Sequence, residues 1–263
     1  MKKEYGLITG ASGLLGMEHA LALLEIGINP ILTDINIKKL KNQTFILKKK
    51  YPKSEIIFYK MDVTNENSVK KIKNKITSKK KTIKILINNA AIDNKVVKNK
   101  KTLNHNSLDK IKLNNIKAEI DVGLIGAVLC VKYFGPLIAK RKNGGVIINI
   151  GSDLSVISPN QKLYKKGQYK PVTYSIIKHG IIGLTKYVST FWSKKNVRCN
   201  ALSPGPVQHK QPVNFIKKLK KEIPLNRLAK KNEYRSAIKF ICSDDSSYLN
   251  GHNLIIDGGR SVW

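Results

Sequence analysis

The sequence is poor in the residues that build cross-links and metal sites. It has three cysteines, Cys130, Cys199 and Cys242, with no CxxC spacing. A scattered, odd set of thiols excludes a disulfide framework and fits a reducing compartment, so a cytoplasmic location is expected. The histidines, His19, His105, His179, His209 and His252, are equally scattered. With no Cys or His cluster, no metal site is expected. Acids are scarce too: 17 Asp and Glu stand against 49 Lys and Arg, a formal net charge of +32. Such an excess raises nucleic-acid binding, because lysines release counterions from phosphates. The lysines are spread through nearly every segment, as in "KKLKNQTFILKKK" and "KKIKNKITSKKK". They interleave with isoleucine and leucine, not with aromatics that stack on bases. The charge therefore reads as a general lysine-rich surface, and a nucleic-acid-binding module rests on charge alone.

Long hydrophobic runs are also missing. The apolar part of "MKKEYGLITG" is too short for a signal peptide. Residues 122–139, "VGLIGAVLCVKYFGPLIA", approach the length of a membrane span but contain Lys132, Gly135 and Pro136. A buried core helix is expected there, and no membrane association.

What is present is alternation. Strand-like runs ("YGLIT", "NPILTD", "EIIFYKMDV", "IKILINNA", "GGVIINIGS", "VRCNALSPG", "NLIIDGG") alternate with helical patterns near 15–27, 36–51, 66–78, 107–140, 172–193, 212–221 and 229–243. Repeated strand–helix–strand units imply a parallel sheet with helices on both faces. No linker or repeat interrupts the 263 residues, and 41% of them are hydrophobic. One α/β domain over residues 1–263 is expected, a Rossmann-type doubly wound parallel sheet of about seven strands.

The first strand runs into "TGASGLLG", residues 9–16. Gly10, Gly13 and Gly16 permit a tight turn, close approach of a pyrophosphate and close helix–strand packing. Phosphates there would meet free N–H groups at a helix N-terminus. Asp34 ends the second strand, 24 residues after Gly10. A carboxylate at that place accepts from the ribose hydroxyls of NAD and repels the extra phosphate of NADP. Two features oppose this: Asp34 could instead cap the next helix in competition with Asn36, and Lys38 or Lys39 could reach a 2′-phosphate. Further on, "PVTYSIIKHGIIG" carries Tyr174 and Lys178 one helical turn apart. The spacing alone allows either a reactive acid/base pair or a packed tyrosine with a snorkelling lysine.

The ordered set of motifs resembles the short-chain dehydrogenase/reductase superfamily along nearly the whole chain, in its single-domain form. The set is the glycine turn, "MDVT", "NNAA" (88–91), Ser152 at a strand end, the YxxxK pair, "NALSPG" and "DGG". The last two also give a resemblance to oxidoreductases of bacterial surface-polysaccharide and flagellin-glycan pathways. The resemblance implies an NAD-dependent oxidoreductase, with NADP second, that interconverts a secondary alcohol and a ketone, on a sugar or nucleotide sugar. It makes Tyr174 the acid/base, Ser152 a hydrogen-bond partner of the reacting oxygen, and Lys178 a ribose ligand that lowers the phenol pKa. It assigns cofactor contacts to Gly10, Gly13, Leu15, Gly16, Asp34, Asp62, Val63, Asn89, Ala90, Tyr174, Lys178, Pro204, Gly205 and Val207. It also implies a homodimer or homotetramer. Helix 172–193 would form the contact, since its apolar surface (Ile176, Ile177, Ile181, Leu184, with Gly180 and Gly183) exceeds one core-facing stripe, with burial inside the monomer as the alternative.

Three departures stand out. The glycine spacing is GxxGxxG, where the single-domain form usually has TGxxxGxG; GxxGxxG is commoner in a longer nucleotide-sugar-modifying branch, whose extra C-terminal substrate region is not expected here. Gly123 in "DVGLIG" replaces the asparagine that helps carry a proton-relay water, which leaves a catalytically impaired NAD-binding sensor or scaffold as an alternative. Ser152 and Tyr174 are 22 positions apart, more than usual, and the extra material is "SPNQKLYKKGQYK". This insertion and the stretch 206–221 should flank the reacting end. Phe215, Ile216 and Leu219 sit at helical spacing, which predicts a short amphipathic lid. Lys162, Tyr164, Lys165, Lys166, Tyr169, His209 and Lys210 would then form a basic rim suited to an anionic polar substrate; the alternative is that the lysines follow the chain-wide bias and only solvate a loop.

Overall fold

In the computed structural model, which describes residues 3–92 and 107–263, one parallel sheet organises the chain. Its strands are β1 (Glu4–Ile8), β2 (Asn29–Asp34), β3 (Ile57–Lys60), β4 (Thr82–Asn88), β5 (Gly145–Ile150), β6 (Val197–Pro204) and β7 (Asn253–Ile256). They lie in the order β3-β2-β1-β4-β5-β6-β7. The order reverses between β1 and β4, and that switch point is where open α/β sheets bind ligands, outside the carboxyl ends of the strands.

Eight helices cover the two faces among the described residues: α1 (Gly16–Glu25), α2 (Ile37–Lys50), α3 (Glu66–Ser78), α4 (Leu113–Ile120), α5 (Gly126–Ala139), α6 (Val172–Phe191), α7 (Val213–Lys220) and α8 (Arg235–Cys242). The strands read as continuous apolar runs because both of their faces are covered. On β5, Val146 and Ile148 join a core with Leu23 of α1, Leu40 of α2 and Ile238 of α8. Ile147 points the other way, into a core with Ile72 of α3, Phe134 of α5 and Val188 of α6.

The strand predicted over 55–63 shrinks to Ile57–Lys60 because the chain turns at Asp62. Its carboxylate accepts the Thr64 N–H at 2.9 Å, an Asx turn that leads into α3. The single helix expected over 107–140 starts only at Leu113 and breaks at a π-turn over Asp121–Ile125, where the Gly126 N–H reaches the Asp121 carbonyl. From Leu113 to Ala139 the helical stretch has the length and apolarity of a membrane span. Its Cys130, Phe134 and Ile138 are fully buried against the sheet, the behaviour of a core helix.

Candidate active site

The carboxyl ends of the strands open into a cavity of about 820 Å³. At one end lies the glycine turn between β1 and α1. Gly10 has φ of +58°, and a Cβ on it would lie 2.7 Å from the Ala90 Cα, so only glycine lets the two loops meet. Hydrogen bonds hold the loops together. The Thr9 hydroxyl accepts from the Asn89 and Ala90 N–H groups at 3.0 and 3.1 Å, and the Asn89 amide donates to the Thr9 and Gly10 carbonyls at 3.1 and 2.9 Å. With its NH2 so engaged, Asn89 offers its oxygen to His19 Nε2 at 3.2 Å. That nitrogen therefore carries the proton, which leaves Nδ1 as a buried acceptor without a partner among the described residues. Burial pushes the His19 pKa down to about 4, so the ring is neutral at ordinary pH.

Asp34 faces the same cavity. Its Oδ2 accepts the Ser12 N–H at 2.9 Å and its Oδ1 the Asn36 N–H at 2.8 Å. Asn36, not Asp34, caps α2, by accepting the Lys39 N–H at 3.0 Å. A carboxylate has about four acceptor positions, so lone pairs remain for a ribose. Lys39 lines the cavity close by; Lys38 does not. Asp62, Val63, Leu15 and Gly13 complete this end. Gly16 does not line the cavity; it starts α1 behind the turn.

At the other end α6 presents Tyr174 and Lys178 one turn apart, both on the cavity wall. Lys178 is buried, and its ammonium donates to the Ile150 carbonyl at 2.7 Å. A packed lysine with a fixed head differs from a snorkelling one, whose head seeks water. Ser152 follows β5 directly. Its hydroxyl donates to Asp153 Oδ1 at 2.8 Å and accepts from the Leu154 N–H at 3.2 Å. Pro204, Gly205 and Val207 close the wall after β6.

Gly123 lies in the π-turn and packs against α6. A Cβ on Gly123 would lie 2.7 Å from Cγ2 of Ile177, so Ile177 of α6 occupies the space that a side chain there would need. The helix keeps a distortion at this place, but it is a π-turn without a side-chain amide.

The insertion and α7 meet at the Tyr174 end of the cavity. Leu163 of the insertion clusters with Leu219, Ile223 and Leu228, and the Tyr164 and Phe215 rings pack at 5.4 Å. Tyr164, His209, Lys210, Phe215 and Leu219 line the cavity. Lys162, Lys165, Lys166 and Tyr169 do not. They are exposed, because the insertion turns its polar residues to solvent while Leu163 and Tyr164 point inward. The basic rim is thus narrower than the sequence suggests.

A family model described as enoyl-(acyl carrier protein) reductase matches residues 10–261. The chain belongs to the short-chain dehydrogenase/reductase superfamily. Among relatives, a 3-oxoacyl-(acyl-carrier-protein) reductase of Thermotoga maritima is 29% identical over 261 residues, 97% of each chain. A short-chain dehydrogenase of Leptospira borgpetersenii with bound NAD+ is 26% identical, with a TM-score of 0.82 over 100% of this chain and 94% of that one. A gluconate 5-dehydrogenase of Burkholderia cenocepacia in complex with NADP and tartrate shares the fold, with a TM-score of 0.86 at 23% identity over 100% and 97% of the two chains. The protein is an NAD(P)-dependent oxidoreductase of this superfamily.

The residues fit such a dinucleotide. The glycine turn leaves room where a Cβ would intrude, backbone N–H groups and a carboxylate stand at one end, and a phenol beside an ammonium at the other. Three wall residues of this short-chain dehydrogenase/reductase escaped the sequence reading. Asp153 and Arg260 are buried and paired at 2.7 Å, and Arg260 also holds Glu222 at 2.8 Å. The available signal was an acid directly after Ser152 in a chain with few acids, and an arginine directly after "DGG". The third, Lys170, stands just ahead of the proline that opens α6.

Proposed function

We propose that this oxidoreductase uses NAD to interconvert a secondary alcohol and a ketone on a small polar substrate of the sugar class. The observation that carries the reading is the arrangement of Ser152, Tyr174 and Lys178 on one cavity wall, with the Lys178 ammonium fixed by the Ile150 carbonyl. A free phenol titrates near pH 10 and is a poor base at neutral pH; a fixed cation beside it favours the phenolate. When bound, NAD supplies the hydride acceptor or donor. Tyr174 takes the proton of the alcohol as its carbon loses hydride, and returns it in the reverse direction. Ser152 holds the same oxygen; to grip a ketone, its hydroxyl turns its proton from Asp153 to the substrate. Lys178 holds the nicotinamide ribose. Asp34, free of capping duty, supports NAD over NADP. Polar groups at the reacting end, among them Asn160, His209 and Lys210, support a hydroxylated substrate. The exposed face of α6, with Ile176, Tyr187 and Phe191, supports assembly as a homodimer or homotetramer.

The test is Tyr174→Phe in a cofactor-reduction assay over sugars, polyols and nucleotide sugars. Turnover should fall by roughly 100-fold or more with NAD binding nearly intact, because only the proton carrier is lost. Wild-type turnover in this variant overturns the assignment.

A further inference from the structure

The insertion between Ser152 and Tyr174 carries a cation aimed at the reactive phenol. Lys170 Nζ lies 3.6 Å from the centroid of the Tyr174 ring, nearer than Lys178 Nζ at 5.7 Å. Both distances are within the range of a cation–π contact. The backbone of Lys170 is gripped from both sides by one side chain. Its N–H donates to Gln161 Oε1 at 3.0 Å, and Gln161 Nε2 donates to its carbonyl at 3.1 Å. Gln161 sits on a short turn fixed by Asn160, whose Oδ1 accepts the Lys162 N–H at 2.9 Å, and anchored by Leu163 in the cluster beneath α7. Pro171 narrows the backbone of Lys170 to extended conformations. The lysine is therefore placed by structure and does not simply belong to the chain-wide lysine surplus.

We propose that Lys170 is a second cation acting on Tyr174, delivered by the insertion, which favours the phenolate and so promotes removal of the alcohol proton. The inference rests on the reading of Tyr174 as acid/base. Phenolate charge spreads into the ring, so an ammonium over the ring face attracts it more strongly than it attracts the neutral phenol. Among the described residues, other charged groups also stand around this end. Lys178 on α6 is the first cation, its ammonium held by the Ile150 carbonyl and farther from the ring than Lys170. Asp153, after β5, is neutralised by Arg260. Glu119 of α4 receives the Thr173 hydroxyl on α6. Tyr164, His209 and Lys210 stand on the same wall. The proton passes from the substrate hydroxyl to the Tyr174 oxygen, and Lys170 exchanges none. It acts through Tyr174 and is a positioning residue.

The test reads the ionisation of Tyr174 directly and needs no substrate. Ultraviolet phenolate absorbance is titrated on the full chain, and the curve of the matching Tyr174→Phe protein is subtracted to isolate one tyrosine. Lys170→Met should raise the Tyr174 midpoint by about one pH unit, and Lys170→Arg should restore it. Gln161→Ala should move it in the same direction by less, because the cation stays but its placement loosens. A Lys170→Met midpoint equal to wild type, with an unchanged melting temperature, overturns the inference. Failure of the acid/base reading would appear separately, as turnover retained by Tyr174→Phe.

Discussion

The two ends of the cavity are built differently. At the β1–β4 end the groups facing the cavity are held by main chain. Asp34 is fixed by the N–H groups of Ser12 and Asn36, and the Gly10 turn is latched to Asn89 through Thr9. Hydrogen bonds to backbone groups do the holding there. At the β5–β7 end the wall is made by charged side chains from remote parts of the chain: Asp153, Lys170, Lys178 and Arg260. Arg260 ties the residue beside Ser152 to Glu222 just past α7. The first end needs a backbone shape, and few sequences give it. The second needs particular side chains, which loops can exchange without changing the fold. A cofactor site and a substrate site can thus share one cavity and vary independently.

Removing Arg260 should separate the two ends most sharply. Its side chain is 7% exposed and that of Asp153 5%. Arg260→Ala leaves a buried carboxylate without its cation, a loss of about 3–5 kcal/mol. For a chain of this size that lowers the melting temperature by roughly 10 °C. Substrate KM should rise, because Ser152 and the α7 region lose their tie, while the Kd for NAD stays within roughly twofold. Calorimetry and NAD titration check both parts. Equal weakening of NAD would show that the two ends are not independent.

The cofactor end has its own weak point, and it is acid. His19 supports Asn89 as a neutral ring, and burial holds its pKa at about 4. In the unfolded chain the ring titrates near 6.5. Between these values the unfolded chain binds a proton that the native chain does not, so stability falls as pH drops from about 6.5 to about 4. Below that window both states are protonated and this group adds no further slope. Over the whole window the loss reaches roughly 3 kcal/mol. His19→Leu should flatten the curve there, even if its stability at neutral pH is lower. Denaturant midpoints at several pH values check it; an unchanged slope would mean that the ring is not the titrating group.

The same contrast explains what the sequence disclosed. Strands and helices were legible because their periodicity is enforced by the two cores, as on β5, where Ile147 and Ile148 face opposite ways. "NPILTD" is a strand residue for residue. The glycine turn, Asp34 and the Tyr174–Lys178 pair were legible because each needs a fixed local spacing. The π-turn was not, since no local spacing in "DVGLIG" marks it, and the close approach of Ile177 to Gly123 is a contact between two helices. Arg260 and Asp153 are 107 positions apart, and no local pattern announces such a pair. The rim was overdrawn for the opposite reason. Composition places lysines everywhere, and only packing shows that Lys170 and Lys210 line the cavity while Lys165 and Lys166 do not.

The smallest expected effect concerns which dinucleotide the first end selects. Asp34 accepts two backbone N–H groups, and these aim it at the cavity. A charged acceptor discriminates twice: it binds the ribose hydroxyls of NAD and repels the 2′-phosphate of NADP. Lys39 lines the same region and works against that preference. Wild type should therefore prefer NAD. Asp34→Ala should shrink the NAD-to-NADP ratio of kcat/KM by about tenfold, the scale of one charge-assisted hydrogen bond. Adding Lys39→Ala should take back part of the NADP gain, because the lysine can pair with the phosphate once the carboxylate is gone. Steady-state kinetics with both cofactors decides it. A ratio unmoved by Asp34→Ala would leave Asp34 only the work of bracing Ser12 and Asn36, and selection would then lie with Lys39 and the backbone around it.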